Sequence, residues 1–168
     1  MIDAYCSNIK GAILERGINQ YTKLSLFLPI IKERAIYYNW LLTDIDSDYS
    51  SNIVENDYEF LTGEEFLELI EKQDITFACG VFLAIPKKIP FDKIILEPLP
   101  YANGYVGFWK NPLSIQNPQA IIEMVLWDGE LALIISRDDE IVNDFLVYYS
   151  LSEDLEVHNG RNIFTTKL

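Results

Sequence analysis

The chain has a single histidine, His158, and only two cysteines, Cys6 and Cys79, among 168 residues. One histidine leaves little room for Ser–His–Asp or Cys–His chemistry, because either arrangement must recruit it. His158 stands beside Asn159-Gly160 in a polar tail and reads as a surface residue. Cys6 is flanked by Tyr5 and Ser7, which do nothing to activate a thiol. Cys79 sits inside an apolar run and reads as a small core residue, and both cysteines read as reduced thiols. No run approaches the ~18 uncharged apolar residues that a membrane helix needs. Met1-Ile2-Asp3 opens without the basic stretch of a secretory signal, so a cytoplasmic location is expected. GxGxxG, Walker, CxxC and HExxH patterns are all missing. Gly104-Tyr105-Val106-Gly107 is too short and too aromatic to cradle a phosphate. No catalytic, cofactor-binding or metal-ligating set is therefore assigned, and no cofactor is expected.

Positive charge is also scarce. Thirteen Lys and Arg face twenty-six Asp and Glu, for a net charge of −13. The excess is concentrated. Residues 44–74 hold eleven carboxylates and one cation, Lys72, and residues 128–156 hold nine carboxylates and one cation, Arg137. Phosphate backbones and anionic membrane surfaces would be repelled, which argues against nucleic acid and membrane as partners. A basic protein is the partner such a charge favours.

What is present suits a packed domain. The composition is 49 % hydrophobic and 13 % aromatic, too apolar for a disordered acidic chain. The length fits one domain over residues 1–168, with a poorly ordered tail from about residue 158. Residues 8–18 suit an early strand or a short helix, with Gly11 and Gly17 favouring a strand and turn. Residues 21–34 carry Leu24, Phe27, Leu28 and Ile31 at helical spacing, broken at Pro29. Residues 37–43 read as a strand, and the acidic residues 44–57 as a loop. Thr62 and Glu65 have capping-box spacing and start a helix with Phe66, Leu67 and Ile70 inward. Residues 74–86 form a strand apolar on both parities, hence central. Residues 86–118 hold six of the seven prolines and read as one long irregular connection. Asp128-Gly129 joins two apolar strands as a hairpin. Residues 138–149 form the last helix, capped by Ser136 or Asp138. The order predicts an α+β fold: a mainly antiparallel sheet with about three helices packed on it.

Two further patterns bear on chemistry. Asp44, Asp46, Asp48, Asn52 and Glu55 fall at EF-hand positions, but Tyr49 stands where the sharp turn needs glycine, and a strand precedes them. A solvated acidic loop is the better reading. Glu123 interrupts an apolar strand and shares a face with Ile121, Val125 and Trp127, so it is either partly buried and paired or on a solvent face.

Several segments, in order, carry a likeness to a known group. They are Tyr38-Asn39-Trp40-Leu41-Leu42, Phe60-Leu61-Thr62-Gly63-Glu64-Glu65, Gly80-Val81-Phe82, Phe108-Trp109, Gln116-Asn117-Pro118, Glu123-Met124-Val125-Leu126-Trp127-Asp128 and Asp154-Leu155-Glu156. Over residues 37–159 the chain resembles a small bacterial domain family of unknown function, related to the immunity proteins of polymorphic-toxin systems of the contact-dependent growth inhibition type. The resemblance implies a cytosolic inhibitor that binds a cognate toxin C-terminal domain and performs no chemistry of its own. It carries over no site residues.

Charge and resemblance converge on a toxin-neutralising protein with an acidic surface for a basic, nuclease-like toxin. The residues expected to bind the partner are Asp44, Asp46, Asp48, Glu55, Asp57, Glu59, Glu64 and Glu68, with aromatic anchors at Tyr49, Tyr58, Tyr101, Tyr105 and Trp109. Residues 138–144 form a reserve acidic stretch. The alternatives are a non-toxin interaction or regulatory module, and a small enzyme using carboxylates or a divalent metal.

Overall fold

Alternation along five strands decides the architecture. Phe82 and Ala84 point to one face of the sheet, and Val81, Leu83 and Ile85 to the other. In the computed structural model, which describes residues 8–17, 23–48, 57–73 and 75–165 with side chains to 161, both faces are covered. The strands are β1 (Lys10–Leu14), β2 (Tyr38–Ser47), β3 (Tyr58–Thr62), β4 (Phe77–Pro86), β5 (Ile122–Trp127), β6 (Leu131–Ser136) and β7 (Glu153–Asp154). They form one antiparallel sheet in the order β3-β2-β4-β5-β6-β1-β7. The described helices are α1 (Leu28–Ile31), α2 (Gly63–Lys72), α3 (Asp139–Tyr148) and α4 (Leu155–Thr165). The α+β class is as the sequence predicts.

Helices α1, α2 and α3 cover one face. Trp40, Leu42, Phe82, Met124 and Ile134 from the sheet meet Phe27, Ile31, Phe66, Ile70 and Phe145 there. Trp40 and Phe66 stack with ring centroids 4.1 Å apart, a contact worth about 1 kcal/mol beyond area burial. The Trp40 indole N–H donates to the Ala35 carbonyl at 3.1 Å, so its polar edge is satisfied. Thr62 and Glu65 complete the capping box: the Glu65 N–H donates to Thr62 Oγ1, and the Thr62 N–H to Glu65 Oε2. Pro29 lies in the first turn of α1, where it lacks no needed donor, and the preceding turn (Leu24–Phe27) is 3-10.

The connection between β4 and β5 and helix α4 cover the other face. Ile94, Ala102, Phe108, Leu113, Ile115 and Leu155 bury Ile13, Leu41, Val81, Leu83, Val125 and Ile135. Asparagine side chains hold this layer together. Asn117 Nδ2 donates to the Ile94 carbonyl, Asn159 Nδ2 to the Phe108 carbonyl, and Asn111 Nδ2 to the Glu156 carbonyl, each within 2.8–2.9 Å.

Four expectations need correction. Residues 44–57 do not begin as a loop. Strand β2 runs on to Ser47, because register shifts after Thr43 and after Asp46 absorb the change of direction. Asp44 sits there at φ 49°, a conformation that Asp tolerates better than most residues. Residues 138–149 do not form the last helix, and the tail from about residue 158 is not loose as far as Thr165, since α4 follows the two-residue β7. His158 is not a plain surface residue: its side chain is 12 % exposed and its Nδ1 lies 2.7 Å from Glu153 Oε1.

Candidate functional site

One row of the sheet brings the candidate residues together. Asp46 on β2 pairs with Cys79 on β4, which pairs with Trp127 on β5. The segment 101–109 of the long connection folds over this end. Its aromatic side chains form a ladder of edge-on and tilted contacts. Tyr101 to Tyr105 is 5.3 Å, Tyr105 to Phe108 is 4.7 Å, Phe108 to Trp109 is 6.2 Å, and Trp109 to Trp127 is 6.1 Å. Phe108 is buried, while Tyr101 is 40 % and Val106 60 % exposed.

Two carboxylates fix this segment in place. Asp44 Oδ2 accepts the Ala102 N–H at 2.7 Å and the Asn103 N–H at 3.2 Å, and lies 3.5 Å from Cys79 Sγ. Burial, and after it the Asp44 charge, push the Cys79 thiol up to about 12. It stays protonated, which suits a packing residue and not a nucleophile. Glu123 is fully buried. Its Oε2 accepts the Gln116 N–H at 2.9 Å, and its Oε1 accepts Gln116 Nε2 at 2.6 Å. Gln116 in turn clasps the backbone N–H and carbonyl of Tyr101 at 3.0 Å each. Burial raises the Glu123 carboxyl to about 7, against the pull of both Gln116 hydrogen bonds. The covering connection therefore removes the solvent-face alternative for Glu123.

The result is a pair of recesses sharing Trp127 as a wall. One, of about 110 Å³, is lined by Gly104, Tyr105, Val106, Trp109 and Trp127 among others. The other, of about 210 Å³, is lined by Asp46, Ala78, Cys79, Asn103, Trp127 and Asp128. Asp46 and Asp128 are exposed and take part in no ion pair among the described residues. Asp128 occupies the hairpin turn at φ 51°, followed by Gly129 at φ 64°.

The expected partner-binding residues are only partly gathered here. Asp46, Tyr105 and Trp109 meet at the recesses, and Tyr101 stands behind Tyr105. Asp44 is beside them, but its carboxylate is turned to the loop amides. Asp48 is exposed and accepts the Thr76 N–H at 2.9 Å. Asp44 and Asp48 thus serve different backbone segments, which is not how one calcium loop would use them. Asp57 is exposed at φ 61°, just before β3. Tyr58 packs 6.0 Å from Phe91 at the sheet edge, and Glu59, its neighbour along the strand, is half-buried. Glu64 and Glu68 lie on α2, on the opposite side of the sheet, each near a cation. Glu64 is 3.7 Å from Lys87, and Glu68 pairs with Lys72, which lowers its carboxyl pKa. In the reserve stretch, Asp138 caps α3 and Asp144 pairs with Arg34 at 2.7 Å. Tyr49, Asn52 and Glu55 lie outside the described residues. Trp127 and Asp128 complete the site. Asp128 was legible as a hairpin-turn residue, but only cross-strand register places it and Trp127 at this site.

No protein-family model, curated protein or solved structure matches this chain. No described helix is long and apolar enough to cross a membrane.

Proposed function

We propose that this chain is a cytoplasmic immunity-type inhibitor that binds and neutralises a basic, nuclease-like toxin domain, and is not itself an enzyme. The observation that carries the reading is the juxtaposition of exposed Asp46 and Asp128, in no ion pair among the described residues, with Trp127, Trp109 and Tyr105. Aromatic anchors beside like-signed charges are what a tight interface with a basic partner requires. The net charge of −13 adds long-range attraction, which accelerates capture of a cationic partner. Asp44 and Glu123 hold the aromatic segment in one conformation before binding, so little ordering entropy is lost on association.

The test is to look for a large exported protein encoded beside this chain and to co-express its C-terminal domain with the chain, followed by co-purification and a survival assay. Protection of the cells together with a stoichiometric complex is expected. A complex without protection, or a substrate consumed by the purified chain alone, overturns the proposal.

A further inference from the structure

Beside the Trp109 end of the aromatic segment, three elements bring an imidazole and two carboxylates together. Glu15 follows directly on β1, Glu153 opens β7 and His158 lies on α4. His158 Nδ1 lies 2.7 Å from Glu153 Oε1 and 3.9 Å from Glu15 Oε1, and the three donor atoms all fall within 4.8 Å of one another. The side chains of His158, Glu153 and Glu15 are 12 %, 28 % and 35 % exposed, so the cluster is sheltered yet open on the Glu15 side. Glu153 Oε2 is engaged by Arg161, which orients the carboxylate and leaves Oε1 toward the cluster. The Trp109 ring lies 6.1 Å from the His158 ring.

We propose that Glu15, Glu153 and His158 form a binding site for one divalent transition-metal ion, zinc in the first instance. Nitrogen with two oxygens suits Zn²⁺, and also Mn²⁺, Co²⁺ and Ni²⁺. Ca²⁺ and Mg²⁺ favour oxygen alone. At Zn–N and Zn–O lengths near ~2.1 Å and tetrahedral angles, two donors on one ion stand about 3.4 Å apart. The His158–Glu15 separation of 3.9 Å has to close and the His158–Glu153 separation of 2.7 Å has to open, which small rotations of the two glutamate side chains supply. For the ion to take the Nδ1 lone pair, Nδ1 gives up any proton it shares with Glu153, and the neutral imidazole ligand keeps its one proton on Nε2. The ion's two positive charges balance the two carboxylates. They also remove the repulsion of two acids placed side by side in an already acidic chain. Binding would clasp α4 and β7 onto the end of β1, and a fourth position would be left to water.

The experiment titrates the EDTA-stripped full chain with ZnCl₂ by calorimetry and follows thermal unfolding. One ion per chain is expected. The melting temperature should rise by about 5 °C at zinc roughly a hundredfold above Kd, with no rise in MgCl₂. NiCl₂ should quench a tryptophan component that Trp109→Phe removes. Glu15→Gln, a change at the most exposed ligand, should weaken zinc by at least about tenfold without altering the apo melting temperature, and His158→Gln should abolish binding. No stoichiometric uptake, zinc affinity unchanged in both ligand variants, or an equal effect of MgCl₂ each overturns the assignment.

Discussion

The Asp44 carboxylate accepts the Ala102 N–H at 2.7 Å across a separation of 58 residues, tying the end of β2 to the aromatic segment. Asp44→Ala removes this acceptor and leaves a β-carbon residue without a polar side chain at φ 49°. A loss of about 1–3 kcal/mol in urea unfolding is expected. Asp44→Asn keeps an acceptor and tolerates the conformation, so it should cost less. Amide exchange at Ala102 should quicken in the Ala variant while exchange at the centre of β4 does not. Equal protection in both variants would show that the contact does not hold the segment.

Glu123 makes stability depend on pH in a definite direction. Its ordinary value is 4.5, and the folded chain raises it to about 7. Below pH 4.5 both states are protonated, and the folded state carries no penalty from this group. Between 4.5 and about 7 the unfolded chain ionises first, so stability falls as pH rises. The loss is complete above 7 and amounts to roughly 3 kcal/mol. Urea midpoints measured across pH 4–8 for the wild type and Glu123→Gln should differ by this slope. Parallel profiles would mean that Glu123 is not the titrating group.

Gly63 opens α2 where the 3-10 turn Ala35–Tyr37 crosses it. A β-carbon there would lie 2.2 Å from the Ala35 carbonyl oxygen and 2.6 Å from Ile36 Cα, both backbone atoms that cannot rotate away. Gly63→Ala should therefore destabilise by about 1–3 kcal/mol through overpacking. Thr62→Ala, which removes one half of the capping box, should cost about 1 kcal/mol. A melting temperature less affected by Gly63→Ala than by Thr62→Ala would contradict the close approach of helix and turn.

The two groups of carboxylates should behave differently toward a cationic partner. Asp46→Asn with Asp128→Asn should slow association with the proposed toxin domain and flatten its dependence on salt. Trp127→Ala should act mainly on dissociation. Glu64→Gln with Glu68→Gln, on the other side of the sheet, should leave the salt slope largely intact. Stopped-flow rates across a salt series separate the two pairs, and a stronger effect from the α2 pair would move the interface to the helical face.

Local chemistry was legible where neighbours in sequence supply both halves of an interaction. The Thr62–Glu65 box, the Asp128-Gly129 turn and the doubly apolar run of β4 all belong to this kind. The extension of β2 to Ser47 was not legible, because polar residues hide a strand whose irregular register comes from its partner β4. Helix α4 was missed for a similar reason. Its amphipathic signal is weak, and the helix is held by Leu155 and Asn159 against the connection that covers the sheet.

Composition and pattern alone determined that this chain is acidic, rich enough in apolar residues for a packed core and without the familiar sequence signatures of an enzyme. Those properties depend on the kinds of residues and their spacing, and they survive any folding of the chain. Which acids remain available to a partner was decided only in three dimensions. Asp44 and Glu123 became internal anchors and Asp46 and Asp128 stayed exposed, because burial and hydrogen bonding are set by cross-strand register and by the layer that covers each face.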